Sequence, residues 1–202
     1  MFGKFYSGKT AWVTGHTGFK GAWTGLWLAR MGAKVTGLAL APDQTPALAE
    51  LAGYDHLAAS HLVDLSDTDQ IDDAVEAIGG PIDSLFNCAG LPTTAPDLDV
   101  MLVNFAGHRH LTEAVIPLLS DGAGIAFISS VAGMGWVANA AKILPLVMTP
   151  DFDAARAWCE EHPEVVGGMG YPASKEAINA YVALRGFQLA PSGVRLNSLN
   201  PG

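Results

Sequence analysis

The sequence predicts an α/β fold: a doubly wound, Rossmann-type parallel sheet in a single domain covering residues 1–202. Three observations predict it. Short apolar runs alternate with longer helical patterns along the chain, the signature of strand–helix–strand units around a parallel sheet. The first apolar run leads into a turn with glycines at 15, 18 and 21, and a helical run follows at once. Thr14, Asp64, Asn87 and Ser130 all fall at strand ends, and open α/β sheets collect ligands at the carboxyl ends of their strands.

Taken in order, Thr10–Thr14 is the first strand, and Ala22 to about Met31 the first helix. Strand, glycine turn and helix in that order mark a dinucleotide site, because glycines let the backbone approach a pyrophosphate and the helix N-terminus supplies donors. Residues 33–40 read as the second strand. At its end, near Ala39, a dinucleotide site usually carries an acid for the ribose, and this sequence has neither that acid nor an arginine. Cofactor choice is left open at this point, and Lys20 in the glycine turn would favour the phosphate of NADP. Residues 47–51 are a short helical patch, and residues 61–64 a third strand ending in Asp64. Ser66 with Asp69 resembles a capping box for a helix over 67–78. Residues 82–87 form the fourth strand, 98–119 a long helix, and 124–130 a fifth strand ending in hydroxyls. Forty residues then separate Ser130 from Tyr171, an apolar-rich excursion at about 131–170 with a short helix over 151–161. An insert that long suits a substrate-binding or interface element. A helix opens at Gly170 and runs to about Ala190, and residues 193–199 make a sixth strand.

Composition narrows the function. A chain of 202 residues, half of them hydrophobic, buries one sizeable core. Its net charge of −9 repels phosphate backbones and anionic lipid, which argues against nucleic-acid and membrane partners. Two cysteines, Cys88 and Cys159, give neither a disulfide framework nor metal-ligand spacing, so a reducing compartment and no metal are expected. With no apolar run over residues 1–9, a cytoplasmic location is expected. The six histidines are scattered; His108 and His110, two apart on a predicted helix, point to different sides, and none is assigned a role.

Tyr171 and Lys175 stand four apart on the last predicted helix, so an ammonium lies beside a phenol. A neighbouring cation favours the phenolate, and lowering a phenol from about 10 to near 7 takes roughly 4 kcal/mol. With four tyrosines and six lysines, roughly 0.1 such pair is expected by chance, so the pair gains its meaning from the glycine turn and the polar strand ends.

Thr14-Gly15 with the glycines after it, Asp64, Asn87-x-Ala89-Gly90, Asn104, Ser130, Tyr171-x-x-x-Lys175 and Pro201-Gly202 follow one another in the order of the short-chain dehydrogenase/reductases, which the chain resembles over nearly its whole length. From about Leu85 onward it is most similar to the 3α-hydroxysteroid dehydrogenase/carbonyl reductase and coniferyl-alcohol dehydrogenase group. The first fifty residues resemble CDP-glucose 4,6-dehydratase instead. Members of the family continue beyond the Pro-Gly turn, so the resemblance implies a chain truncated at its C-terminus.

The resemblance implies an NAD(P)-dependent enzyme that interconverts an alcohol and a carbonyl. Asn104, Ser130, Tyr171 and Lys175 would be catalytic: Ser130 hydrogen-bonds the substrate oxygen, Tyr171 moves the proton, Lys175 holds the nicotinamide ribose and depresses the Tyr171 pKa, and Asn104 positions a water. Gly15, Gly18 and Gly21 would cradle the pyrophosphate, Asp64 the adenine, and Asn87 with Gly90 the adenosine side. Thr14, Thr17, Phe19, Ala39, Leu65, Ala89, Pro201 and Gly202, with Tyr171 and Lys175, complete the implied cofactor contacts. The implied cofactor is NAD or NADP, NAD slightly favoured. The apolar insert points to a hydrophobic alcohol or ketone, steroid-like or aryl, and the family implies a homo-oligomer, dimer or tetramer. Two alternatives stand: a nucleotide-sugar dehydratase or epimerase-like enzyme, against which Val131 occupies the place of an acid after Ser130, and a non-catalytic dinucleotide-binding fragment.

Overall fold

The protein is described here by a computed structural model covering residues 4–42 and 45–202. Six strands form one parallel sheet: β1 Thr10–Thr14, β2 Lys34–Ala39, β3 Ala59–Leu62, β4 Ile82–Asn87, β5 Leu119–Ile128 and β6 Arg195–Leu199. Their order is β3-β2-β1-β4-β5-β6, so the direction of winding reverses between β1 and β4. At such a switch point the connections leave in opposite directions and open a crevice at the strand ends. Side chains alternate along β1: Trp12 joins one core, while Ala11 and Val13 join the other.

Nine α-helices are described: α1 Phe19–Arg30, α2 Leu48–Ala52, α3 Thr68–Ile78, α4 Asp97–Met101, α5 His108–Val115, α6 Ala140–Val147, α7 Phe152–Glu161, α8 Pro163–Val166 and α9 Gly170–Leu189. The larger core joins β4 and β5 to α3, α4, α5 and α9 through residues such as Ile71, Met101, Leu111, Ile125, Phe127 and Ala177. The smaller core, under α1, is Ala11, Val13, Leu28 and Val35.

The structure corrects four local expectations. The third strand is Ala59–Leu62 rather than 61–64, because an edge strand with alternating partial exposure has no apolar run to mark its start. Helix α3 is capped by Asp67, whose carboxylate accepts from the Gln70 N–H; Ser66 instead donates to Asp64. The long helix expected over 98–119 is broken: α4 passes into a π-helical turn, Leu102–Gly107, then α5, then a 3-10 turn, Ile116–Leu118. Leu119 already pairs with Ile82, so strand pairing claims the end of that segment. The fifth strand stops at Ile128, and Ser130 opens a 3-10 turn, Val131–Val137, with its Oγ accepting from the Ala132 N–H.

Candidate active site

The glycine turn is shaped for a close backbone approach. Gly15 has φ +65°, and a methyl there would lie 2.6 Å from the Ala89 Cα. A methyl on Gly21 would lie 2.1 Å from the Gly15 carbonyl oxygen. Gly18 is the N-cap of α1 and offers no side-chain cap, so the N–H groups of Phe19, Lys20 and Gly21 have no intrahelical acceptor. No acidic residue stands in that first turn. Bare N–H groups, the positive end of the helix dipole and Lys20 make this a seat for an anion such as a pyrophosphate.

Across the switch point, Thr14 Oγ1 accepts from the N–H of Cys88 at 2.9 Å and of Ala89 at 3.0 Å. This bond ties the end of β1 to the loop after β4, and it places Ala89 and Gly90 beside the glycine turn.

Helix α9 carries Tyr171 and Lys175. Lys175 is 4% exposed, its Nζ donates to the Ile128 carbonyl at 2.8 Å, and it lies 5.4 Å from the centroid of the Tyr171 ring. Burial, with a smaller contribution from the charge of Lys20, pushes the Lys175 ammonium down to about 8. The Lys175 carbonyl accepts from Ser129 Oγ at 3.2 Å. Two bonds therefore clamp residues 128 and 129, which lead into Ser130, to α9. Because Ser130 Oγ already accepts from Ala132, its proton is left to donate. Pro201 accepts from the Val131 N–H, which brings the Pro201-Gly202 turn to the same strand end.

Asn104 sits in the π turn, fully buried, with Oδ1 accepting from the Leu91 N–H at 2.7 Å and Nδ2 donating to the Leu91 carbonyl at 3.1 Å. Nδ2 also approaches Ser174 Oγ at 3.4 Å, on α9 between Tyr171 and Lys175. π turns widen the backbone locally and recur at functional sites. The Asn104 amide thus pins the loop after β4 against α9.

The remaining expected residues are placed less directly. Asn87 is buried and donates to Thr112 Oγ1. Ala39 and Leu65 are buried, and the exposed side chain at the end of β2 is Leu40. Asp64 Oδ1 accepts from the N–H and hydroxyl of Ser66. Thr17 donates to the Leu40 carbonyl at 2.9 Å. Lys20 acts on Lys175 and Cys88, toward β4 and β5 rather than toward the end of β2.

Two residues escaped sequence reasoning. Arg109 is buried, donates to the carbonyls of Val147, Thr149 and Asp151, and so anchors the insert to α5. His108 is buried between Thr14 and Asn104. A basic residue directly after the apolar run 100–107 was the available signal, but periodicity does not say which long side chain turns inward.

The insert folds as the 3-10 turn 131–137 and helices α6, α7 and α8. Its exposed apolar side chains, Val131, Met134 and Val137, follow Ser130, and exposed Met169 precedes α9.

The sequence pattern of the short chain dehydrogenase family matches residues 9–142. The chain belongs to the short-chain dehydrogenase family. It is 34% identical over 140 residues to the coniferyl-alcohol dehydrogenase of Pseudomonas sp. (strain HR199 / DSM 7063), covering 69% of this chain and 54% of that protein. It is 31% identical over 160 residues to the 3-alpha-hydroxysteroid dehydrogenase/carbonyl reductase of Comamonas testosteroni, covering 76% and 62%. CDP-glucose 4,6-dehydratase of Salmonella typhimurium is 36% identical over 115 residues, 55% of this chain and 32% of the dehydratase. The chain therefore matches less than two thirds of the length of each of these relatives. Among solved structures, that of BdcA in complex with NADPH superposes with a TM-score of 0.71 at 21% identity, covering 98% of this chain and 71% of that one, and shares the fold.

Proposed function

We propose that this protein is an NAD(P)-dependent oxidoreductase that interconverts an alcohol and a carbonyl on a small hydrophobic substrate. The observation that carries the reading is the placement of Lys175: a buried ammonium against the Tyr171 ring, held to the strand end that leads into Ser130. A side-chain-free glycine cradle with bare helix N–H groups suits the dinucleotide, and a bound nicotinamide supplies the hydride.

In the reducing direction Ser130 donates to the carbonyl oxygen, Tyr171 transfers its hydroxyl proton to the same oxygen, and the Lys175 charge favours the phenolate left behind. Asn104 orders the surrounding loop and a proton-relay water. Val131, Met134, Val137 and Met169 give the substrate side an apolar wall, which favours steroid-like or aryl alcohols. NAD is preferred to NADP, because Leu40-Ala41-Pro42, the chain leaving the end of β2 where a ribose phosphate would lie, carries no cation. A homo-oligomer is the proposed assembly, formed through outward helix faces such as that bearing Leu184 and Phe187 on α9.

The test is Tyr171→Phe with a panel of aryl and steroid alcohols and ketones. Cofactor affinity, read by NADH and NADPH fluorescence, should be retained, while turnover falls by about 100-fold or more. Retained turnover would remove the phenol from the mechanism.

A further inference from the structure

We propose that His108, locked as the neutral tautomer with its proton on Nδ1, is a positioning residue that couples the cofactor cradle at Thr14 to the catalytic turn at Asn104. It rests on the reading above for the roles of Thr14 and Asn104, but the tautomer itself does not.

The tautomer follows from counting donors. Thr14 Oγ1 accepts from two backbone N–H groups, Cys88 and Ala89, which uses both lone pairs. Its single proton must then go to the remaining partner, His108 Nε2, at 2.9 Å. Nε2 is therefore the bare nitrogen, and the ring proton lies on Nδ1, 3.2 Å from the Asn104 carbonyl, which can only accept. A proton on Nε2 would face the Thr14 hydroxyl donor to donor and leave that carbonyl opposite a bare nitrogen. Double protonation has no support, since the ring is 2% exposed, rests edge-on against Phe127 and has the Lys175 ammonium as its charged neighbour. Burial pushes the imidazole down to about 3.

One imidazole thus fixes the direction of two hydrogen bonds. On one side it orients the Thr14 hydroxyl, which holds the Cys88-Ala89 backbone next to Gly15. On the other it holds the Asn104 carbonyl inside the π turn, and the Asn104 amide reaches Ser174 between Tyr171 and Lys175. Leucine at this position would fill the same space and supply neither bond.

Two near-isosteric variants separate the halves. In His108→Gln the side-chain carbonyl falls near the Nε2 position and keeps the acceptor for Thr14. In His108→Asn the amide falls near Nδ1 and keeps the donor to Asn104. For the glutamine variant, NADH or NADPH affinity should stay within about threefold while kcat falls about tenfold; the asparagine variant should reverse that split. Nitrogen-15 NMR of the wild-type imidazole should show a protonated Nδ1 and bare Nε2 that do not titrate between about pH 5 and 9. An Nε2-protonated ring overturns the proposal, and so does loss of affinity, kcat and melting temperature together in both variants, which is what a purely structural histidine gives. A wild type that binds cofactor but turns over no alcohol or ketone would refute the proposed function instead, leaving the tautomer and the affinity split to decide this inference.

Discussion

The two faces of the sheet are built to different standards. The face under α3, α4, α5 and α9 buries Phe105, Leu111, Ile125 and Phe127, and within the same packing it holds Asn104, His108, Arg109 and Lys175. Among the described residues, the face under α1 has a core of four buried residues, while Phe19 and Trp23 stand largely exposed. These aromatic residues border a groove of about 1210 Å³ reaching Ile128, Leu199 and Pro201. The difference teaches where precision is needed. Side-chain chemistry requires each donor fixed against its acceptor, which dense packing provides. A cradle made of backbone N–H groups needs only a turn that glycine can adopt.

Glycine substitutions should break the comparison most sharply. A methyl on Gly107, at the end of the π turn, would lie 1.8 Å from the Leu65 carbonyl oxygen, so Gly107→Ala should cost about 3 kcal/mol or more, or prevent folding. On α1, Gly25→Ala would meet Leu57 Cδ2 at 3.5 Å, His56 Nε2 at 3.8 Å and Val35 Cγ1 at 3.9 Å, all ordinary contacts, and should stabilise by up to about 1 kcal/mol through helix propensity. Urea midpoints of the two variants would decide it; shifts of opposite sign, the larger at Gly107, are the expectation, and two neutral results would erase the contrast.

Truncating aromatic residues gives the next effect. Phe105→Ala should cost about 3–5 kcal/mol, whereas Trp23→Ala, at a residue 51% exposed, should cost less than about 1 kcal/mol. Thermal melts of the pair measure the difference directly.

Acid probes both faces. His108 is held neutral on the dense face, its value down at about 3 from an ordinary 6.5, and burial lowers His16 on the other face as well. The unfolded chain then takes up protons that the fold refuses, so stability is lost as pH falls below 6.5. Each such histidine contributes about 1.4 kcal/mol per pH unit between its unfolded and folded values. Urea midpoints from pH 7 to 4.5 should decline, and His108→Leu should flatten part of the slope.

The smallest effect should be a gain. Lys175 is held near 8 against an ordinary 10.5, so the fold disfavours its ammonium below pH 8, and this penalty fades as pH rises from 8 to 10.5. Lys175→Met should therefore leave the cofactor-free protein as stable at pH 7 or more so, by about 1 kcal/mol, while turnover disappears. A lower melting temperature would mean that the Ile128 bond outweighs the buried charge.

Strand identity was legible wherever a strand is buried: β1 and β4 lie where their apolar runs predict, while the edge strand β3 was displaced because exposure dilutes its pattern. The Tyr171 and Lys175 pairing was legible because both belong to one helix. The break in the helix over 98–119 was not, since a π turn leaves the apolar period almost unchanged. The roles of His108 and Arg109 were hidden for a related reason: their partners lie 94 and about 40 residues away.

By itself the sequence determined the alternation of strands and helices, the glycine turn and the spacing of the phenol and ammonium. These depend on the geometry of a few consecutive residues. The tertiary structure alone decided that Lys175 reaches Ile128 across 47 positions, and that Thr14 holds the loop after β4 across 74. It also decided that His16 and His108 turn inward. Such closures are fixed by which surfaces meet once the sheet has formed, and no local period encodes that meeting.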